Sequence, residues 1–377
     1  MKLKLAVLSL ALFIPLLGFS QPKPLEYHLI IGTYTKTQTN GLFVYKFDTS
    51  TGKLTFGSKT EGVVNPSYLA VNRDETKVYS VSEASGNQSG LSAFNFDATA
   101  GTLSFINSQP TTSKGPCHVT LSEDGKFAFS ANYGGGSLSV FPINTDGSLA
   151  PISQLVQHTG SSINQKRQTA PHAHSTNFSP DGSILFAADL GTDFLKAYKY
   201  NRNEKQPLQK AEASDVKIEP GFGPRHFTFN KKGDKLYVVA EMEAHVSVFN
   251  YKNNKAKLLQ NISMNDIGFK GTNGAADIHL SKDGKFLYAS NRGSVNDIAI
   301  FKVAKNGKLT KIANVSTKGK TPRNFVIDPT DNFLLVANQD TNDVYVFRRD
   351  KKTGLLSYTE EMINVGAPVC LKFVGVK

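Results

Sequence analysis

Short apolar segments recur along this chain at intervals of about fifty residues, and most come in pairs joined by a tight turn. The pair from Gly223 to Glu241 shows the form. Phe227 and Phe229 alternate with polar neighbours, as on a strand with unlike faces, and Leu236 to Ala240 is almost continuously apolar, as on a strand covered on both sides. Equivalent hairpins run Tyr68–Glu83, His118–Asn132, Ser175–Asp189, Asp277–Asn291 and Asn324–Asn338. Their turns, such as Ser122-Glu123-Asp124-Gly125, Ser179-Pro180-Asp181-Gly182 and Ser281-Lys282-Asp283-Gly284, carry the residues that reverse a chain. A third strand follows each hairpin, and a fourth is expected at signals such as Gly101-Thr102-Leu103, Gly147-Ser148-Leu149 and Gly307-Lys308-Leu309.

The six hairpins give six four-stranded units. The two ends of the chain supply a seventh: Val369–Val374 reads as its first strand, and His28–Thr33, Leu42–Phe47 and Leu54–Lys59 as the other three. A unit shared by both termini suits a closed ring, so the predicted fold is all-β, a seven-bladed β-propeller of four-stranded blades. Tryptophan is absent, which excludes the Trp-Asp type of repeat.

The start of the chain departs from this pattern. Lys2 and Lys4 precede an apolar run from Leu5 to Leu17, and Gly18-Phe19-Ser20 offers small residues for a cut. Residues 1–20 are therefore expected to be an export signal, with an uncleaved anchor as the alternative, and residues 21–377 a single propeller domain. The apolar run is short of the ~20 residues a membrane span needs, so no span is expected in the mature chain. The formal charge is +12, or +10 without Lys2 and Lys4. The lysines are scattered over turns such as Lys231-Lys232 and Lys351-Lys352, which argues for a solvated rim and against nucleic acid. Cys117 and Cys370 are the only cysteines, too few for a disulfide framework or a Cys-rich metal cluster.

Candidate chemistry follows from the blade register. The innermost strands begin at Ser67, Cys117, His174, Arg225, Ala276, Arg323 and Val369. The strands that pair with them end at Glu83, Asn132, Asp189, Glu241, Asn291 and Asn338. Both sets belong to one mouth of the channel, where the longer connections also gather. His174, Arg225, Glu241 and Arg292 break the repeat's own consensus and are the catalytic candidates. Glu83, Asn132, Asp189, His172, Asn291 and Arg323 are the substrate-binding candidates, with blade-joining hydrogen bonds the alternative for the asparagines. His118 and His279 are expected to pack in the core. An oxygen cage for calcium is conceivable from Glu83, Asp189, Glu241, Asn132 and Asn291, but Arg225, Arg292 and Arg323 would set three positive charges beside the ion, so no metal is assigned. No Gly-x-Ser-x-Gly elbow occurs, and Gly134-Gly135-Gly136 opens no helix, so neither a serine hydrolase nor a dinucleotide site is supported and no cofactor is expected.

Taken together, Pro171-His172-Ala173-His174, Gly223-Pro224-Arg225-His226, Ala275-Ala276-Asp277-Ile278-His279, Ser290-Asn291-Arg292-Gly293 and Pro322-Arg323-Asn324-Phe325 resemble the seven-bladed-propeller lactonase family, which includes bacterial 6-phosphogluconolactonase and is similar to carboxy-muconate lactonizing enzyme. The resemblance covers essentially the whole mature chain. It implies hydrolysis of a sugar-acid lactone, with roles in an anionic site for His174, Arg225, Glu241 and Arg292. The expected partner is a small lactone or sugar acid, and a monomer is expected. The export signal makes an unphosphorylated aldonolactone an alternative to the phosphorylated one. A non-catalytic propeller binding an anionic ligand or a protein, and a muconate-type cyclase, are the alternative functions. Either His174 or Glu241 is the expected general base.

Overall fold

The computed structural model describes residues 26–35 and 41–376. The expected leader and its cut lie outside the described residues. The described residues form seven sheets, each with four strands, consecutive in the chain in all but the first, and the fourth blade carries an additional short strand, Val216–Lys217. Numbered around the ring, blade one consists of Pro368–Gly375 on the inside, then Glu26–Thr33, Leu42–Asp48 and Leu54–Thr60. The innermost strands of blades two to seven are Leu69–Val71, Pro116–Leu121, Ala173–Phe178, Pro224–Phe229, Ala275–Leu280 and Pro322–Ile327. The protein is therefore the expected seven-bladed β-propeller, with its first blade built from both ends of the chain.

The turn residues explain the hairpins. In blades three, four and six the Ser122, Ser179 and Ser281 hydroxyls donate to Asp124, Asp181 and Asp283 at 2.6, 2.5 and 2.7 Å. The same hydroxyls accept from the amides of Phe127, Ile184 and Phe286 at 3.0 Å, so one side chain pins both arms of the turn.

The core is distributed. Seven apolar clusters each join two neighbouring blades among the described residues. Phe227, Leu236, Val238 and Phe249 of blade five meet Ile184, Phe186 and Leu195 of blade four. The seam between blades seven and one is filled in the same way, by Phe333, Leu335 and Val346 against Leu29, Phe47 and Leu371, so the ring is closed by packing as well as by pairing. Each fully buried Phe or Leu of this kind contributes about 1.5–3 kcal/mol relative to exposure.

Two expectations need correction. The fourth strand of blade three does not form at Gly147-Ser148-Leu149, where only the single bridge Ile143–Leu149 exists. Pro151 has no N–H to continue that ladder, and the outer strand runs from Gln154 to Gln157 instead. His118 packs as expected, buried and stacked on Tyr68 at 4.0 Å, whereas His279 is only half-buried. They line a cavity of about 450 Å³ in the far half of the channel, with Tyr68, His226, Asp277 and Lys372.

Candidate active site

Six of the seven innermost strands share one irregularity, and it makes the site; in blade one it falls at Val369, and it is absent from the short Leu69–Val71 strand of blade two. Their pairing slips by one residue at Cys117, His174, Arg225 and Arg323, each of which is skipped in the ladder between two paired neighbours. In blade six the slip takes in Ala276 and Asp277. A β-bulge leaves one residue without a ladder partner and re-aims its side chain, so one repeated distortion turns a ring of different side chains into the mouth. Next to the Arg225 bulge, Gly223 has a φ of +66°, and a Cβ there would lie 3.0 Å from Leu190 Cγ, so glycine alone fits without strain.

Glu241 is the hub. Its Oε1 accepts from Arg167 Nη2 at 2.8 Å, and its Oε2 accepts from Arg225 Nε at 3.0 Å and lies 3.2 Å from Arg292 Nη2. Burial pushes the carboxyl up, but the guanidiniums of Arg292, Arg225 and Arg167 outweigh burial and hold it at about 2. Arg292 is itself fixed by its Nε, which donates to the Gly274 carbonyl at 2.6 Å. Arg225 is buried beneath Glu241, and its Nη1 donates to the Ala276 carbonyl.

His174 stands apart from these charge-assisted contacts. Its Nε2 is 4.0 Å from Glu241 Oε2, beyond hydrogen bonding, and its Nδ1 is 3.8 Å from Cys117 Sγ. Burial first, then the positive charge of Arg225, holds the imidazole well below its usual range, so it is neutral at pH 7. Burial also raises the Cys117 thiol, which is an inert neighbour and no nucleophile.

A second carboxylate faces the hub. Glu83 Oε2 accepts from Tyr34 Oη at 2.8 Å and from Ser67 Oγ, and lies 4.0 Å from Arg323 Nη2. The Arg323 guanidinium lies over the Tyr34 ring, 5.3 Å from its centre. Between the two carboxylates is a cavity of about 240 Å³ walled by Tyr34, Glu83, Tyr133, His174, Glu241, Arg167, Arg292 and Arg323.

The mouth thus brings together His174, Arg225, Glu241 and Arg292, with Arg323 and Glu83 opposite. His172 sits at the edge, stacked on Tyr133 at 4.6 Å, with its Nδ1–H donating to the Tyr133 carbonyl at 3.0 Å. Asp189, Asn132 and Asn291 are not brought to the cavity wall, although they share the register of Glu241. All three are fully buried. Asn132 donates to Ser137 Oγ at 3.1 Å and Ser139 Oγ at 2.9 Å. Asn291 accepts the Gly274 amide at 3.1 Å and donates to Asn265 Oδ1 at 3.0 Å. Asp189 accepts from His158 Nδ1 at 2.7 Å and from the His172 amide at 2.8 Å, clamping both ends of the connection that carries Arg167. Among the described residues no group of three or more His, Cys, Asp or Glu side chains could hold a metal ion.

Arg167, Tyr34 and Tyr133 are contributors that the register did not identify. Tyr34 and Tyr133 lie just beyond the strand ends at Thr33 and Asn132, the position that also gives Arg292, and that offset is the signal that could have found them. Arg167 lies in an irregular connection whose anchor, the buried Gln168, donates to the Leu190 carbonyl and to Asp193, both at 2.8 Å.

Fold and site together define a propeller hydrolase with a cation-rich mouth. The chain belongs to the lactonase family of seven-bladed β-propellers, whose model matches residues 28–373. It is 36% identical to a 6-phosphogluconolactonase of Bacillus subtilis over 93% of this chain and 99% of the relative, and 39% identical to one of Formosa agariphila over 91% and 98%. Among solved structures, the periplasmic gluconolactonase of Pseudomonas aeruginosa matches with a TM-score of 0.90 and 36% identity, covering 93% of this chain and all of that one. The protein is a lactonase acting on a small molecule.

Proposed function

We propose that this protein is an exported lactonase that opens a sugar-acid lactone, an aldonolactone such as glucono-δ-lactone or its 6-phosphorylated counterpart, to the hydroxy acid. The observation that carries the reading is that neutral His174 and the cationic Arg292 and Arg323 face one cavity. Three guanidiniums and two carboxylates line it, with Arg225 buried behind Glu241, leaving positive charge in surplus for an oxyanion and a carboxylate product. Water attacks the lactone carbonyl carbon and gives its proton to His174 Nε2, while Arg292 and Arg323 stabilise the oxyanion. The ring C–O bond then breaks, and His174 returns the proton to the departing alkoxide. Glu241, held ionised by three arginines, is a poor base. At 4.0 Å it is placed to stabilise the imidazolium instead, and Arg225 anchors it.

Base uptake at constant pH with glucono-δ-lactone, corrected for spontaneous opening, tests this reading. Replacing His174 by Gln is expected to lower kcat by about 10²–10⁴-fold, the usual contribution of a general base. An unchanged rate would remove His174 from the mechanism. Export is supported by Lys2, Lys4 and the Leu5–Leu17 run and by the periplasmic relative. Expressed with its own leader in a Gram-negative host, the protein should reach the periplasm with its mass starting near residue 21. Retention in the cytosol with residues 1–20 intact would count against export.

A further inference from the structure

His226 lines the far cavity, and hydrogen bonds through it link Arg225, behind the mouth, to Asp277 of the next blade. His226 follows the bulged Arg225, so its ring turns toward the far cavity. Its Nδ1 is 2.8 Å from Asp277 Oδ1, and Arg225 Nη1 is 3.3 Å from its Nε2. Asp277 also takes hydrogen bonds from His279 Nε2 at 3.0 Å, from the amides of Ile278 and Phe325 at 3.0 and 3.3 Å, and from Asn324 Nδ2. Burial opposes the charge on Asp277, but His279 and His226 outweigh burial and hold it well below the usual carboxylate range.

An ionised carboxylate only accepts, so Nδ1 of His226 must carry the hydrogen. Burial and the Arg225 charge hold the imidazole at about 4 and keep it neutral, which leaves Nε2 a lone pair for Arg225 to donate to. The same ring meets the His174 ring edge-on, with centres 5.6 Å apart and planes at 75°. His226 therefore touches two members of the mouth from below, and the open lactone cavity touches neither His226 nor Asp277.

We propose that His226 and Asp277 are positioning residues for lactone opening: Asp277 fixes the tautomer and ring plane of His226, and His226 holds Arg225, with Glu241 and His174 beyond it, in the reactive arrangement. This rests on reading the mouth as the lactone-opening site.

Two near-isosteres separate the contacts. Gln at position 226 places an oxygen near the Nε2 position and can still accept from Arg225. Asn places its amide near the Nδ1 position and can reach Asp277 alone. With the full-length chain and glucono-δ-lactone, His226→Gln should keep kcat within about threefold. His226→Asn should lower kcat about 10- to 100-fold with KM little changed, the scale of a small misplacement of reacting groups. In an Arg225→Gln background the His226→Asn change should cost no further activity, because the group it positions is gone. Asp277→Asn, which frees the ring to flip, should lower kcat in the same way.

Equal kcat in every variant that folds would overturn the proposal, and so would losses in His226→Gln and His226→Asn that merely follow an equal fall in thermal midpoint. If Arg225→Gln and His174→Gln already leave the rate unchanged, the reading of the mouth fails. If they lower it and His226→Asn does not, the positioning role alone fails.

Discussion

Glu241 shows how a buried charge is kept in this protein. Desolvation alone would neutralise it, and three guanidiniums at 2.8, 3.0 and 3.2 Å prevent that. Its folded-state titration near 2 lies below the ordinary value of 4.5. The carboxylate thus contributes stability that is fully present above about 4.5 and lost as pH falls toward 2, a difference on the order of 3 kcal/mol. Glu241→Gln removes that titration and leaves Arg225, Arg292 and Arg167 without their common partner. Urea unfolding should show the variant less stable at pH 7, with the gap to the natural protein narrowing between pH 4.5 and 2. A gap constant across that window would mean Glu241 is not held ionised by the arginines. The opposite case is His174, left neutral and free of short contacts, which is the state a proton acceptor needs.

At the level of strands, the sequence shows where each Cβ points but not what the side-chain head does. Turn chemistry was legible because Ser-x-Asp-Gly carries its own hydrogen bonds, and with the turns aligned, the strand ends fell into register. That register placed His174, Arg225, Arg323 and Glu241 at one mouth, where they lie. It also placed Asn132, Asp189 and Asn291 there, and their side chains turn instead onto the adjacent strand, for Asn132, and onto nearby connections, for Asp189 and Asn291. The difference is length. Glu241 and Glu83 have one more methylene and reach over the bulge, whereas Asp and Asn at the same position bond to local backbone and hydroxyls. The bulges left no mark in the apolar pattern, because a skipped residue changes no hydrophobic position that the packing uses. Arg167 was illegible for another reason: its connection has no period, and its place depends on Gln168 and on the Asp189 clamp, both long-range contacts.

For the whole molecule, the arrangement of the mouth depends on the ring staying closed, since its groups come from blades on opposite sides of the channel. Closure is borne by the seam where Pro368–Gly375 pairs with Glu26–Thr33 and where Phe333 of blade seven meets Phe47 of blade one edge-on at 5.6 Å. Phe333 is fully buried, and Arg348 lies over its ring at 4.6 Å. If the seam is packed like the other blade interfaces, emptying it should cost what emptying an interior one costs. Phe333→Ala and Phe129→Ala, the latter in the cluster between blades three and four, are each expected to destabilise by about 3–5 kcal/mol. Guanidinium unfolding of the two variants checks this, with lactone opening followed across the same transition. A seam variant that unfolds in two steps, or loses activity well before its fluorescence transition, would show a ring that opens at its join. A single coincident transition in both variants would show that the termini close the propeller as firmly as any continuous blade, so that the residues of the mouth are held by one cooperative structure.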